Sequence, residues 1–351
     1  MDNIVKNINN IVENINNIDN INNNKDMNEP ILDEKNERLT VFPIEYKDIW
    51  DLYKVQEAAF WKAEEIDFSR DYDDFENKLS KDEQYVIKMI LAFFAGSDGL
   101  VNLNLRKRFL NDIKIMEAQI AYSFQMMMEG IHGEVYSLML DNIIKDPVEK
   151  ETLFNAIKTI DSVKLITEWG KKWIESDNSF GYRLIAFAIV EGVFFSSAFA
   201  TIFWLKKFRG SGKQFMNGLI KSNDFIARDE SSHCNFACSL YSHIVNKVPQ
   251  KDVFEMFDDA LSISKNFARE TIKCQLLGLN SSEMEKYLEY ICDRLLISLG
   301  YTKKYFAENP FDFMETIGLN KKTNFFESRP TEYQSAYNNT NNEKLILVDD
   351  F

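Results

Sequence analysis

The chain has 351 residues, 45% of them hydrophobic and 27% charged, the balance of a folded globular protein. Its net charge of −14 comes with no basic stretch, which excludes the electrostatic footprint of a nucleic-acid binder and makes an anionic membrane a poor partner. Four cysteines (Cys234, Cys238, Cys274 and Cys292) form no C-x-x-C pair and no disulfide-dense module, so a reducing, cytoplasmic setting is expected.

Taken in chain order, residues 1–30 form an Asn-rich tail, in which Ile4, Ile8, Ile11, Ile15 and Ile18 recur at heptad-like spacing. Asn is a poor helix former, so a low-complexity disordered segment is expected there. It has no apolar core of a secretory signal and no Arg of a mitochondrial presequence. From about Phe42 to Tyr305 the helical period dominates. Asp82 and Glu83 open an apolar run to Leu100, and further runs follow at about 112–142, 149–176, 180–208, 213–246, 250–278 and 281–305. Pro147, Pro249 and Pro310 fall at junctions. The stretch Leu184 to Leu205 is long enough to span a bilayer, but Glu191 is its central and only charge, which predicts a buried core helix instead. Gly210-Ser-Gly-Lys213 lacks the first glycine and the preceding strand of a phosphate loop and reads as a helix–helix turn. No linker divides this block, so the expected fold is a single all-α bundle over residues 31–322. A polar segment, 323–351, follows and ends in the apolar and acidic stub Leu345 to Phe351, the composition of a flexible docking tail.

Two of the three histidines sit in the same motif. Glu129 precedes His132 by three residues and Glu230 precedes His233 by three, so on a helix each pair shares a face. A lone helical His is usually structural, but two Glu-x-x-His pairs on separate helices are the ligand pattern of carboxylate-bridged two-metal bundles. That pattern requires one further carboxylate from each of two other helices. Asp98 and Glu191 are the candidates: each lies in an apolar run with no Lys or Arg on the adjacent turns, where a carboxylate without a partner is costly. An ion pair with a distant helix is the plain alternative for each. Four carboxylates and two imidazoles suit iron or manganese better than structural zinc. Tyr136 lies one turn after His132, and Phe195, Phe199 and Ile226 fall at helical spacing from Glu191 and Glu230, where they would keep the centre dry. Cys234 and Cys238 are one turn apart and read as core packing.

These residues resemble the small, radical-generating subunit of class I ribonucleotide reductase, of the eukaryotic type, over about residues 40–335 and the C-terminus. The stretches that carry the resemblance are Phe42-Pro-Ile-Glu-Tyr46, Leu91-Ala-Phe-Phe-Ala95 with Ser97 to Gly99, Glu129-Gly-Ile-His132 with Tyr136, Glu191-Gly-Val-Phe-Phe195, Arg228-Asp-Glu230 with His233, and Asn309-Pro-Phe-Asp-Phe-Met314. The resemblance implies a ferritin-like bundle around two irons per chain. Asp98 and His132 would bind one, Glu191 and His233 the other, and Glu129 and Glu230 would bridge them. It further implies that oxygen chemistry at the irons makes a stable radical on Tyr136. Trp61 and Tyr333 would then pass the oxidation to the large catalytic subunit, which reduces ribonucleotides to deoxyribonucleotides. Asp229 would link Trp61 to His132. Phe351 and its acidic neighbours would dock the tail on the large subunit, in a heterotetramer or larger assembly built on a homodimer. The Asn-rich N-terminus is not a general feature of that family. Manganese shares the ligand set. Two rivals remain at this level, another diiron oxidase of the same bundle type and an iron-storage protein. Tyr136, Trp61 and Tyr333 together speak against the first, and the chain's length and tail against the second.

Overall fold

A computed structural model describes residues 26, 28–210, 214–273 and 276–314; the side chain of Asp98 lies outside that description, as do Cys274, Tyr333 and Phe351. Among the described residues there is no strand, and the fold is a helical bundle. Its helices are α1 (Lys47–Ala58), α2 (Asp71–Lys78), α3 (Lys81–Asn104), α4 (Met116–Ile143), α5 (Pro147–Phe154), α6 (Ala156–Thr159), α7 (Asp161–Ile174), α8 (Phe180–Ile189), α9 (Ser196–Phe208), α10 (Asn217–Ser242), α11 (Gln250–Thr271) and α12 (Ser281–Ser298). Two π-helical segments interrupt the long helices, Leu105–Phe109 after α3 and Val190–Phe194 between α8 and α9.

Local chemistry explains where these helices start. Ser80 opens α3 with a capping box: its hydroxyl accepts from Glu83 N at 3.2 Å, and the Glu83 carboxylate accepts from Ser80 N at 2.8 Å. Asp146 caps α5 ahead of Pro147, and Asn280 caps α12. The start of α10 is held from a distance. Met216 N donates to Asp74 at 2.8 Å, and Gly218 N and Leu219 N donate to the two oxygens of Asp71 at 3.1 and 2.7 Å. The first N–H groups of a helix have no partner within it, so two carboxylates from α2 satisfy what α10 cannot. Because α10 carries Glu230 and His233, Asp71→Ala is expected to lower stability by about 2 kcal/mol. Equilibrium denaturant unfolding would measure it.

α3 packs on α4, α8 on α10, α4 on α10, and α11 on α7 and α12, around one continuous apolar core. Among the described residues, two stretches are long and apolar enough to cross a membrane, Lys81–Asp112 and Phe180–Phe208. In their apolar 18-residue windows 71% and 89% of the residues are buried inside the bundle, so the second is the core helix that its central carboxylate predicts. The 149–176 run is not one helix. Asn155 leaves helical geometry at φ −95°, ψ 23°, and Ile160 is extended at φ −122°, ψ 115°. The Asn155 side chain turns back on Glu151 O, and Thr159 Oγ1 on Thr152 O, the local side-chain bonds that compete with a continuing helix. Glu29, inside the stretch read as tail, is buried and accepts from Val245 N and Asn246 N, both at 2.7 Å. At the other end Phe311 and Phe313 are buried and stack at 5.1 Å, so the Asn309 to Met314 run closes the bundle.

Candidate metal centre

Three helical segments bring four ligand groups to one point. Glu129 comes from α4, Glu191 from the π segment between α8 and α9, and Glu230 and His233 from α10. One ligand atom of each lies within 4.8 Å of the others, and all four are buried. His132, one turn after Glu129, completes the group: its Nδ1 is 3.0 Å from Glu230 and 3.4 Å from Glu129. His233 Nδ1 is 3.0 Å from Glu129 and 3.2 Å from Glu230. Each of these two carboxylates therefore faces both imidazoles, the placement a bridging ligand needs. Asp98 lies within α3, which packs on α4, but its side chain is not described, so its expected place as a ligand is a proposal.

The donor set fits a pair of metal ions. Both Glu129 oxygens, Glu191 Oε2, Glu230 Oε1 and His132 Nδ1 are buried without a hydrogen-bond partner, although they approach one another closely. Carboxylates crowded in a buried site without hydrogen-bond geometry are unfavourable unless positive charge, from a metal ion or a protonated imidazole, sits among them. Burial pushes the Glu191 carboxyl well above the usual carboxylate range, with the neighbouring charge of Glu230 adding to it. Burial opposes charge on Glu230 too, but Glu191, His132 and His233 around it hold its carboxyl well below that range. For His233 the same competition ends in an imidazole pushed up to about 9: burial lowers it, and Glu129 and Glu230 more than restore it. Without metal the site is thus a network that shares protons.

A second layer orients the first. Gln125, one turn before Glu129, donates to Glu191 Oε1 at 3.2 Å. His132 Nε2 lies 3.2 Å from Asp229 Oδ2, and the same oxygen accepts from Trp61 Nε1 at 2.7 Å. When Nε2–H donates to Asp229, the neutral form of the imidazole keeps its lone pair on Nδ1, the atom that faces Glu129 and Glu230. Burial works against the charge of Asp229, yet its carboxyl stays below the usual range because Arg228, then His132 and Trp61, stabilise the ionised form. Arg228 bonds the other oxygen, Oδ1, at 2.8 and 3.0 Å and reaches Ala59 O at 2.8 Å, which fixes the strand of chain leading into Trp61.

Tyr136 is buried and stacks on Phe94 at 4.5 Å with an interplanar angle of 11°. Phe195 and Phe199 in turn pack on Phe94, at 6.2 and 5.3 Å. The apolar wall expected around the centre is therefore built chiefly around the tyrosine. The π segment supplies this register: one extra residue in the turn redirects Glu191 relative to the phenylalanines that follow. The structure brings together Trp61, Glu129, His132, Glu191, Asp229, Glu230 and His233, with Tyr136 one turn beyond His132 on α4. Tyr333 falls outside the described residues.

Sequence reasoning missed two contributors. Gln125 carried a readable signal, a polar residue one turn from Glu129 on a face that is otherwise buried. Gly192 carried none: a Cβ there would meet Cys234 Sγ at 2.8 Å, so the glycine lets the Glu191 segment lie close against α10. Cys238 is buried and Cys234 partly so, and both are unpaired, as packing residues are.

A helical bundle with two Glu-x-x-His pairs and an additional buried carboxylate defines a ferritin-like protein with a dinuclear carboxylate–histidine metal site. The family model for the ribonucleotide reductase small chain matches residues 38–310, and the chain belongs to that family. It is 50% identical over 306 residues to the vaccinia virus (strain Western Reserve) ribonucleoside-diphosphate reductase small chain, covering 87% of this chain and 94% of that one. It is also 50% identical over 307 residues to the Homo sapiens ribonucleoside-diphosphate reductase subunit M2, covering 87% and 77%. Among solved structures, the Saccharomyces cerevisiae Rnr4 homodimer superposes with a TM-score of 0.73 at 32% identity, over 89% of this chain and 99% of that one. The function of this chain is accordingly that of a small subunit of ribonucleotide reductase.

Proposed function

We propose that this small subunit holds two irons and, with oxygen, makes a radical on Tyr136 that leaves through Trp61. The observation that carries the reading is the line Trp61–Asp229–His132, which joins a buried indole to the ligand cluster through one carboxylate oxygen. Glu129 and Glu230 would bridge the irons, with Asp98 and His132 on one side and Glu191 and His233 on the other. Manganese suits the same oxygen and nitrogen donors. When bound, the pair supplies oxygen-dependent one-electron oxidising power. The chain's own residues do the rest. Phe94, Phe195 and Phe199 exclude water from the Tyr136 ring, which protects an oxidised phenol from quenching. Asp229, kept ionised by Arg228, holds His132 and Trp61 in register. Trp61 stacks near His132 at 6.0 Å and 21°, so the indole and the imidazole are neighbours in space as well as through Asp229.

Tyr333 would carry the oxidation across to the large subunit, and the stub ending in Phe351 would dock the chain there. The acidic balance and unpaired cysteines support a cytoplasmic setting. After iron and oxygen are added to the purified chain, electron paramagnetic resonance is expected to show a tyrosyl radical that Tyr136→Phe abolishes with metal content unchanged. The same signal in the variant would refute the role of Tyr136.

A further inference from the structure

The segment that leads into α1 is fastened to the bundle at points that follow a pattern. Asp26 Oδ1 accepts from Phe180 N, the first N–H of α8, at 2.8 Å. Glu29 is 2% exposed. Its Oε2 accepts from Val245 N at 2.7 Å, and its Oε1 from Asn246 N at 2.7 Å and Asn246 Nδ2 at 2.9 Å, where the chain leaves α10. Ile31 is fully buried, and its carbonyl accepts from Lys114 N at 2.8 Å, just ahead of α4. Arg38 then reaches Glu117 in the first turn of α4 at 2.6 Å, and the same Glu117 oxygen accepts from Glu45 N at 2.7 Å and Tyr46 N at 3.3 Å. α4 carries Glu129 and His132, α8 leads into Glu191, and α10 carries Glu230 and His233.

Two of these helix ends need outside partners. Neither Ser179 before α8 nor Ile115 before α4 caps its helix with a side chain, so the N–H groups there must be satisfied from elsewhere. The fastening points also stand level. Glu117, Phe180 and Val245 lie 12, 11 and 12 residues from Glu129, Glu191 and His233, which at the rise of a helix is about 16 to 18 Å. One short segment therefore crosses the same end of all three ligand-bearing elements. Height is what a metal site is sensitive to: an axial slip by one residue moves a ligand by about 1.5 Å, against a tolerance of about 0.2 Å in a metal–ligand distance.

We propose that Asp26 and residues 28–46 form a strap that sets the relative heights of α4, α8 and α10, with Glu29 as its central positioning residue, so that the ligand groups are spaced for a divalent metal before one enters. The inference rests on the metal-centre reading above. Glu29 suits the role because one buried carboxylate takes three donors from a single turn. Glu29→Gln keeps the size and removes the match, since its NH2 group meets a backbone N–H, donor against donor. The strap acts as a unit, so a change at Glu29 is felt at fastenings that Glu29 does not touch.

The test uses the full-length chain, metal-free at first. Hydrogen exchange at Lys114 N and Phe180 N is expected to speed up by about tenfold in Glu29→Gln, although neither amide bonds to Glu29. Asp26→Ala, a second variant, is expected to do the same at Val245 N and Asn246 N. Cobalt(II) is then loaded, metal per chain is measured, and release to excess EDTA is followed through the visible cobalt absorption. Both strap variants are expected to release cobalt about tenfold faster than the wild type. Asn280→Ala removes the cap of α12, a helix that carries no ligand, so it loses stability but releases cobalt at the wild-type rate. Unaltered exchange at the distant fastenings, wild-type release from both strap variants, or release from Asn280→Ala as fast as from them overturns the strap and leaves the centre standing. A wild-type chain that takes up no cobalt overturns the centre, and the role of the strap with it.

Discussion

The metal-free protein is expected to lose stability as pH rises from about 6.5 to about 9, and loading it with metal is expected to release protons. The sign follows from the imidazoles. His233 moves from an ordinary value of 6.5 to about 9 in the folded chain, and Glu129 and Glu230 push His132 well above its ordinary value against the cost of burial. A group whose pKa is raised by folding contributes stability fully present below its unfolded value and lost as pH climbs through its folded value. For His233 alone the shift corresponds to on the order of 3 kcal/mol. Glu191, also raised, acts in the same direction, because its proton too must be lost at high pH. Glu230 is lowered, so its contribution disappears only in acid, outside this window. Metal ligation needs neutral imidazoles and ionised carboxylates, and it would displace these protons. Titrating metal into the chain near neutral pH should therefore release a proton from each imidazole, seen as a dependence of calorimetric heat on buffer ionisation. The loaded protein should show a much flatter stability profile across the window. At free metal a thousandfold above its dissociation constant the gain is about 4 kcal/mol. A metal-free protein equally stable at both ends of the window would show that the carboxylates are not poised around charged imidazoles.

The same residues explain how much of the molecule was legible beforehand. Helical periodicity exposes α4 and α10 to α12 because each must bury one apolar stripe that repeats in the sequence, while α8 and α9 show as a continuous apolar run because they are buried nearly all round. The Glu129/His132 and Glu230/His233 pairs were legible because two ligands on one helix face obey a fixed spacing. Glu191 was legible for an energetic reason: a carboxylate in the middle of an apolar run needs a partner. The π segment that holds Glu191 was not. It arises from one residue too many between two packed helical stretches, and the extra residue looks like any other in the pattern. The break at Asn155 and Ile160 was hidden for a related reason, since an apolar period continues through it while side-chain hydrogen bonds end the helix. Gly192 was hidden because its role is an absence of atoms beside Cys234, a residue 42 positions away in the sequence. Distant partners such as Asp71 with Leu219, or Arg228 with Ala59, are set by tertiary packing and leave no spacing to read.

Asp229→Asn is expected to leave the metal ligands in place but to break the line between Trp61 and the centre. Both Trp61 Nε1 and His132 Nε2 meet Oδ2 of this carboxylate, while Arg228 occupies Oδ1 with two nitrogens. An amide cannot serve all three. With its oxygen towards Trp61 and His132, its NH2 group points at the Arg228 guanidinium, donor against donor. Flipped, it presents NH2 to the indole N–H and the imidazole, and His132 loses the acceptor that sets its tautomer. Either arrangement also leaves the Arg228 charge without its carboxylate. The expected cost is about 2 to 4 kcal/mol in stability, the range for a buried hydrogen-bonded charge pair that loses one partner. The functional loss should be larger and separable. Iron content near that of the wild type and a Tyr136 radical that still forms are expected, together with turnover by the assembled large and small subunits reduced by at least about a hundredfold, a barrier change near 2.7 kcal/mol. Radical yield by electron paramagnetic resonance and turnover, measured on one preparation, separate the two effects. Arg228→Lys offers a milder companion: it keeps the charge but loses the two-nitrogen grip on Oδ1, so radical formation should survive with a smaller fall in turnover. If Asp229→Asn turned over at the wild-type rate, the oxidation would have to leave Tyr136 by a route that does not include Asp229.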